Sequence, residues 1–415
     1  MQIKKFWTYE NKTVVVLFFV FGFVFVDRLA LTFLAPFVTK DLGISNAELG
    51  LVFTVFAITW SLSGYFGGYI SDKKSSKKAV LLISVIAFSI CSFSTGLVMS
   101  LGMLLIIRGI MGLFEGPVLP IAQTILRMAS TESRRAFNMA LVQSTGPCLL
   151  ASLLGPIVLV AIAIAVGWRT TFYFTIIPGI ILAYIIWKVI KEPTIPEAER
   201  SSLTAGPDEK VSLFGTLKYK NIKLLSIIVP CVVGAYISFI NFGPLYLTEV
   251  VQYSPSTMSI VMGVNGLSGL LTGFAIAALS DKFGRKPVAY FTLVIGIIAA
   301  IGIAYLSPNV VILCIFIFLL SVASGIMCVF MSVIPSESVP PKVVASGIGL
   351  VTGIGELIGG VVGGIVVGLL SDRFGLISIF WVIVICYAIT LYLTVFVQET
   401  APVKVRKNNQ TAAPL

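Results

Sequence analysis

Runs of mostly apolar residues, each near the ~20 needed to cross a bilayer, recur along the whole chain with short polar breaks between them. With charges, glycine and proline as punctuation, they fall near 13–36, 47–71, 79–98, 101–127, 137–165, 170–190, 222–248, 257–280, 288–306, 309–333, 344–370 and 376–397. The pattern predicts an all-α membrane protein of 12 transmembrane helices. The first run follows Lys4, Lys5 and Lys12, as a signal peptide would. It is too long for a signal core, it contains Asp27 and Arg28, and no small-x-small cleavage pattern follows, so it reads as a retained helix. The longest polar break, 191–221, is rich in charge, proline and serine. It divides the chain into a six-helix bundle at 1–190, a cytoplasmic linker at 191–221, a second bundle at 222–397 and a tail at 398–415.

Composition sharpens this picture. Hydrophobic residues make up 57% of the 415 positions and charged ones only 11%, against roughly 25% charged in soluble domains. A net charge of +11 taken alone suggests a nucleic-acid partner. Its distribution excludes one. With a cytoplasmic N-terminus, 24 of the 29 lysines and arginines fall in inward segments, and only Lys40, Arg169 and Arg373 fall outside. The remaining two, Arg28 and Arg108, lie within spans. This is the positive-inside asymmetry, and it places both termini in the cytoplasm of a plasma-membrane protein, expected to be a monomer. A missed helix would scramble the alternation, and it is not scrambled.

Histidine is absent, which excludes a histidine proton relay and leaves proton chemistry to carboxylates. Cys91, Cys148, Cys231, Cys314, Cys328 and Cys386 lie in apolar runs without metal-ligand spacing and read as small buried hydrophobes. No nucleophile–base pair, metal set or phosphate loop points to an enzyme. No cofactor is expected beyond a proton or cation gradient.

The two halves repeat locally. Gly68-x-x-x-Asp72-Lys73 follows the second span, and Ala277-x-x-x-Asp281-Lys282-x-Gly284-Arg285-Lys286 follows the eighth. Two parallel six-helix repeats joined by a cytoplasmic loop are a known transporter plan. The pattern G-x-x-x-D-[RK]-x-G-[RK]-[RK] after helices 2 and 8 resembles the loop motif of the major facilitator superfamily, with Ser75 and Ser76 departing from it in the first copy. The resemblance implies a gating role for Asp72, Lys73, Asp281 and Arg285. Such an aspartate faces the N-terminal end of a neighbouring helix, where the dipole favours negative charge, and its basic partners latch the cytoplasmic side. A plain solvated loop charge is the other reading.

An ionisable residue at membrane depth is costly, roughly 2.5–3.5 kcal/mol on insertion scales, so each needs a reason. Five stand out: Asp27, Arg28, Arg108, Glu115 and Glu356. Asp27 and Arg28 lie roughly 20 Å into span 1, near the midplane, and diverge by about 100° around the helix. Arg108 and Glu115, seven residues apart, share a face of span 4 about 10 Å apart along its axis. A guanidinium stays charged and grips a carboxylate with two parallel bonds, so Arg28 and Arg108 suit an anionic substrate. Carboxylates taken partly out of water exchange protons closer to neutrality than exposed ones do, so Asp27 and Glu115 suit proton carriers. The competing reading is two structural ion pairs, Asp27 with Arg108 and Arg28 with Glu115, that only neutralise buried charge.

Val26-Asp27-Arg28-Leu29, Ala35-Pro36 and Leu42-Gly43-Ile44-Ser45 resemble the first helix and loop of the anion:cation symporter family within that superfamily. So do Arg108-Gly109-x-x-Gly112-x-x-Glu115-Gly116-Pro117, Gly167-Trp168-Arg169 and Pro244-Leu245-Tyr246-Leu247. The resemblance implies proton-coupled transport of organic acids such as sugar acids. It assigns protonation to Asp27 and Glu115, the substrate carboxylate to Arg28, and a second cation to Arg108. Phe25 and Trp60 stand where sugar-acid members favour tyrosine, and Pro147 stands near a usual glutamine. The expected pocket, with Trp60 in its wall, therefore suits an aromatic or aliphatic carboxylate better than a polyhydroxy acid.

Glu356 sits amid Gly347, Gly349, Gly353, Gly355, Gly359, Gly360, Gly363 and Gly364 in span 11; it reads as a third proton site, a cation ligand, or a protonated residue at a helix contact. Asn241 and Asn265 read as pocket contacts or helix–helix bonds. Glu337 falls at the inner end of span 10, where a solvated or gating role fits. The functional expectation is a proton-coupled importer of a small organic carboxylate. The alternative is a proton antiporter exporting drugs or metabolites, whose helix 5 motif Gly146-Pro147 and Gly155-Pro156 match only loosely. A signalling receptor on a transporter scaffold would carry a long tail, and about 18 residues follow position 397.

Overall fold

The computed structural model describes residues 7–74, 77–192, 213–306, 309–340, 343–401 and 403–404, with backbone alone at 65–74, 136, 213, 214 and 345. Among these residues the protein is helical, with no strand. Eleven helices are long and apolar enough to cross a membrane. They are α1 (Tyr9–Leu42), α2 (Asn46–Lys74), α3 (Lys77–Thr95), α4 (Leu101–Ala129), α5 (Glu132–Val166) and α6 (Trp168–Val189). Then come α7 (Lys220–Val250), α8 (Pro255–Phe283), α9 (Arg285–Tyr305), α10 (Val310–Glu337) and α11 (Ser346–Phe374). A twelfth, α12 (Ser378–Thr394), is apolar but shorter.

The helix ends follow their punctuation with one exception. Pro36 suggests a stop, yet α1 runs through it to Leu42. Proline removes one backbone bond, a loss that membrane helices absorb. Gly43, at φ 64°, makes the left-handed turn that ends the helix. Other spans are locally irregular. α4 turns at Gly116-Pro117, and π-helical segments interrupt α5 at Leu141–Thr145 and Pro147–Leu154 and α11 at Val362–Val366. Such widenings cluster at functional sites. Of the six cysteines only Cys386 is fully buried; four are half-buried and Cys328 is exposed. Flanking apolar sequence does not distinguish a core position from a lipid-facing one.

Helix packing divides the chain into two compact units, Met1–Leu34 with Ile58–Lys210, and Ala35–Ala57 with Val211–Leu415. In the first, α3 packs along α6 and α4, and α5 packs on α6. In the second, α7 is the hub against α11 and α12, with every residue from Ser238 to Leu247 buried. The polar break at 191–221 follows the chain, whereas packing groups the α1–α2 corner with the C-terminal helices.

Each unit closes one helix start with a distant carboxylate. Glu192, beyond α6, accepts from the Lys77 and Lys78 amides at 2.5 and 3.0 Å, and Lys78 Nζ donates to the Trp187 carbonyl at 2.7 Å. Glu399, beyond α12, accepts from the Arg285 and Lys286 amides at 2.9 and 3.0 Å, and Lys286 Nζ donates to Val395 at 2.8 Å. The two helix starts thus carry matching contacts. Burial alone would raise the Glu399 carboxyl, but amide donation from Ala401, Lys286, Arg285 and Thr400 holds it below the usual carboxylate range.

Candidate functional site

Asp27 and Arg28 are neighbours on α1, and the helical rotation between them sends their side chains to different partners. Asp27 is buried and turns toward α3 and α6, where Ser92 Oγ donates to its Oδ1 at 3.1 Å. Ser92 also bonds Thr175 Oγ1 at 2.8 Å, and Thr175 reaches the Phe172 carbonyl at 2.8 Å. This hydroxyl chain accommodates either charge state of Asp27. With Asp27 ionised, Thr175 donates to Ser92 and Ser92 to the carboxylate. With Asp27 protonated, the acid proton is donated to Ser92, Ser92 donates to Thr175, and Thr175 to Phe172. The Ser92 contact therefore persists in both charge states of the carboxyl.

Arg28 is half-buried and turns toward α2. Its guanidinium carbon lies 5.1 Å from the Trp60 ring centre and 5.5 Å from that of Phe25, within cation–π range. Two of the three positions that depart from the sugar-acid pattern, Phe25 and Trp60, therefore meet on one arginine. Trp60 is held by its own helix: Ser63, one turn on, donates to the Gly112 carbonyl of α4 at 2.9 Å. A Cβ at Gly116 would come within 3 Å of the Trp60 carbonyl, Ser63 Oγ and the Gly64 amide. Gly116→Ala should therefore lower the protein's melting stability by about 1–3 kcal/mol; unchanged melting would show that α2 can move away freely.

On α4, Arg108 and Glu115 are 2% and 1% exposed, which leaves water little access to either. Arg108 Nη1 donates to the Arg28 carbonyl at 3.4 Å. No hydrogen bond within the described chain reaches Arg108 Nε or Nη2, or either Glu115 oxygen. Neither of the two structural ion pairs considered from sequence is therefore formed as a hydrogen-bonded pair. Glu115 lies within electrostatic reach of Arg28, Asp27 and Arg108, so the four groups form one cluster of ionisable side chains. Buried polar groups are normally satisfied, which makes Arg108 and Glu115 candidates for a functional role. Beside Asp27 a cavity of about 260 Å³ opens among apolar residues of α1, α5 and α6, including Phe23, Leu154, Val158 and Phe174.

Asn241 lies in the buried stretch of α7 and donates to the Gly363 carbonyl of α11 at 3.3 Å, the helix–helix bond of its two readings. Asn265 is buried on α8, where its carbonyl accepts from Ser321 of α10 at 3.3 Å. Glu356 is half-buried on α11. Arg285 is buried and bonds Asp281 at 2.6 Å and Glu337 at 2.8 Å, which ties the ends of α8 and α10 to the start of α9. The side chains of Asp72 and Lys73 lie outside the described residues. Ser92 and Thr175 were not legible as partners from sequence. Nor was the Gln123–Gln143 amide pair, at 3.0 Å between α4 and α5, although two glutamines inside apolar spans were the available signal.

The sequence matches the family model of the Major Facilitator Superfamily over residues 17–359. The chain belongs to that superfamily. Among its relatives, the hexuronate transporter of Bacillus subtilis is 30% identical over 293 residues, 68% of each chain. The probable 4-methylmuconolactone transporter of Cupriavidus pinatubonensis is 25% identical over 94% of this chain and 92% of its own. The quinolone resistance protein NorA of Staphylococcus aureus is 28% identical over 63% of this chain and 65% of its own. In fold the chain is similar to a bacterial homologue of the human lysosomal transporter Spinster, crystallised inward-facing and unoccupied. The TM-score is 0.78 at 18% identity, over 94% of this chain and 98% of that one. Superfamily membership makes the chain a multi-pass membrane transporter and not an enzyme.

Proposed function

We propose that the chain imports a small organic carboxylate together with protons. Twelve spans in two parallel six-helix repeats would rock about a central site in a monomer, with both termini in the cytoplasm of the plasma membrane. The observation that carries this reading is Arg28, a half-buried guanidinium between Phe25 and Trp60 and within electrostatic reach of Glu115, whose buried oxygens accept no hydrogen bond among the described residues. Arg28 takes the substrate carboxylate and Arg108 supplies a second positive charge. Asp27 and Glu115 carry protons, with Glu356 as a third proton site, and Trp60 and Phe25 favour a less polar acid. Asn265 is a further polar candidate, and Asn241 holds α7 to α11. Asp72 and Lys73, with Asp281 and Arg285, gate the cytoplasmic side. The hexuronate relative supports a carboxylate; the lactone relative, alike over nearly the whole chain, supports departure from sugar acids.

Purified protein in liposomes loaded with a pH dye tests the reading, after a thermal-shift screen of aromatic, aliphatic and polyhydroxy acids. A stabilising aromatic or aliphatic acid, added outside, should draw protons inward with it. Stabilisation by polyhydroxy acids alone would overturn the pocket assignment. The NorA relative favours a second reading, antiport of an exported drug or metabolite, in which added substrate drives protons outward.

A further inference from the structure

The first turn of α2 is closed from two directions. Ser45 and Glu48 form a reciprocal capping box, with the Glu48 amide on Ser45 Oγ at 3.2 Å and the Ser45 amide on Glu48 Oε2 at 2.8 Å. The two remaining amides of that turn, Asn46 and Ala47, donate to Oδ1 and Oδ2 of Asp372 at the end of α11, each at 2.9 Å. A carboxylate here answers both the unsatisfied amides and the positive end of the helix dipole. Below this cap the two helices meet without interlocking side chains. Gly360, Gly364 and Gly368 of α11, one turn apart, face Ala57, Thr54 with Gly50, and Asn46 with Ala47, so closely that an added Cβ would come within 3 Å at each. Small residues at this spacing let backbones approach. In the π-helical stretch of α11 the Ile365 amide donates across the seam to Thr54 Oγ1 at 2.9 Å.

Asp372 belongs to Gly368-x-x-x-Asp372-Arg373-x-Gly375, a third copy of the pattern that follows α2 and α8. Within the second unit it lies on the other membrane face. α8 ends and α10 ends at the cluster of Asp281, Arg285 and Glu337, and α11 returns across from there to Asp372.

We propose that this seam is a gate and Asp372 its latch, on the face opposite Arg285 and Glu399. Every contact in it is exchangeable. Asp372 is exposed, so water can take the Asn46 and Ala47 amides when the carboxylate leaves, and a glycine face separates without repacking side chains. The inference rests on transport by alternating access and is independent of the substrate or coupling ion.

Residue-resolved hydrogen–deuterium exchange on the purified full chain tests it. Asp372→Ala should raise exchange about tenfold, as for loss of a charged cap, at Asn46 and Ala47 and also at Ile365, two turns away across the seam. Thr54→Val should, reciprocally, raise exchange at Asn46 and Ala47. Faster exchange confined to Asn46 and Ala47 in Asp372→Ala would make Asp372 a local cap and overturn the latch. If Asp372→Ala does not fold, the Thr54→Val result decides: unchanged exchange at Asn46 and Ala47 overturns the proposal.

Discussion

Asp27→Asn should abolish gradient-driven accumulation of substrate while leaving exchange of internal for external substrate intact. The substitution preserves shape and leaves an amide that can bond Ser92, so the α1–α3–α6 contact survives. What is lost is the second protonation state. One pH unit is worth about 1.4 kcal/mol per proton, or tenfold accumulation. The wild-type plateau in liposomes should therefore follow the imposed gradient, and the variant should equilibrate near unity. Counterflow, which needs no net proton movement, should stay within about threefold. A variant that accumulates substrate as the wild type does would remove Asp27 from coupling.

Arg28→Ala should weaken binding of the carboxylate by about 30-fold or more, since truncating one partner of a charged pair buried in the complex costs about 2–5 kcal/mol. Arg28→Lys should recover only part of it, because an ammonium is a point charge without the planar fork that matches a carboxylate or stacks on Trp60. Ligand-induced thermal stabilisation measures this, with unliganded melting as the control for folding. An acid that stabilises Arg28→Ala as well as the wild type would exclude Arg28 from the site.

The five charges within spans were legible because lipid tolerates so few of them; rarity alone picked out Asp27, Arg28, Arg108, Glu115 and Glu356. Their partners were not. Ser92 and Thr175 are ordinary hydroxyls in apolar helices, and only the packing of α1, α3 and α6 joins them to Asp27. Phe25 and Trp60 were legible as departures from a pattern but not as two faces on one guanidinium, since one lies on α1 and the other on α2. Span length and charge alternation located the helices. The glycines of span 11 announced a close approach without naming α2 as the partner, and nothing in a 3.6-residue period reports that α2 changes unit near Ala57.

The two distant carboxylates at the starts of α3 and α9 bear on how the chain is made. The Lys77 amide waits for Glu192, 115 residues later, and the Arg285 amide waits for Glu399, 114 residues later. During synthesis neither helix start can be closed until the helix three spans on has left the ribosome. Each helix start then acquires its tie only after the chain up to that carboxylate has emerged. Biogenesis would thus proceed in two closures, and a nascent chain stalled before residue 192 or 399 would carry an open helix end that membrane quality control could recognise.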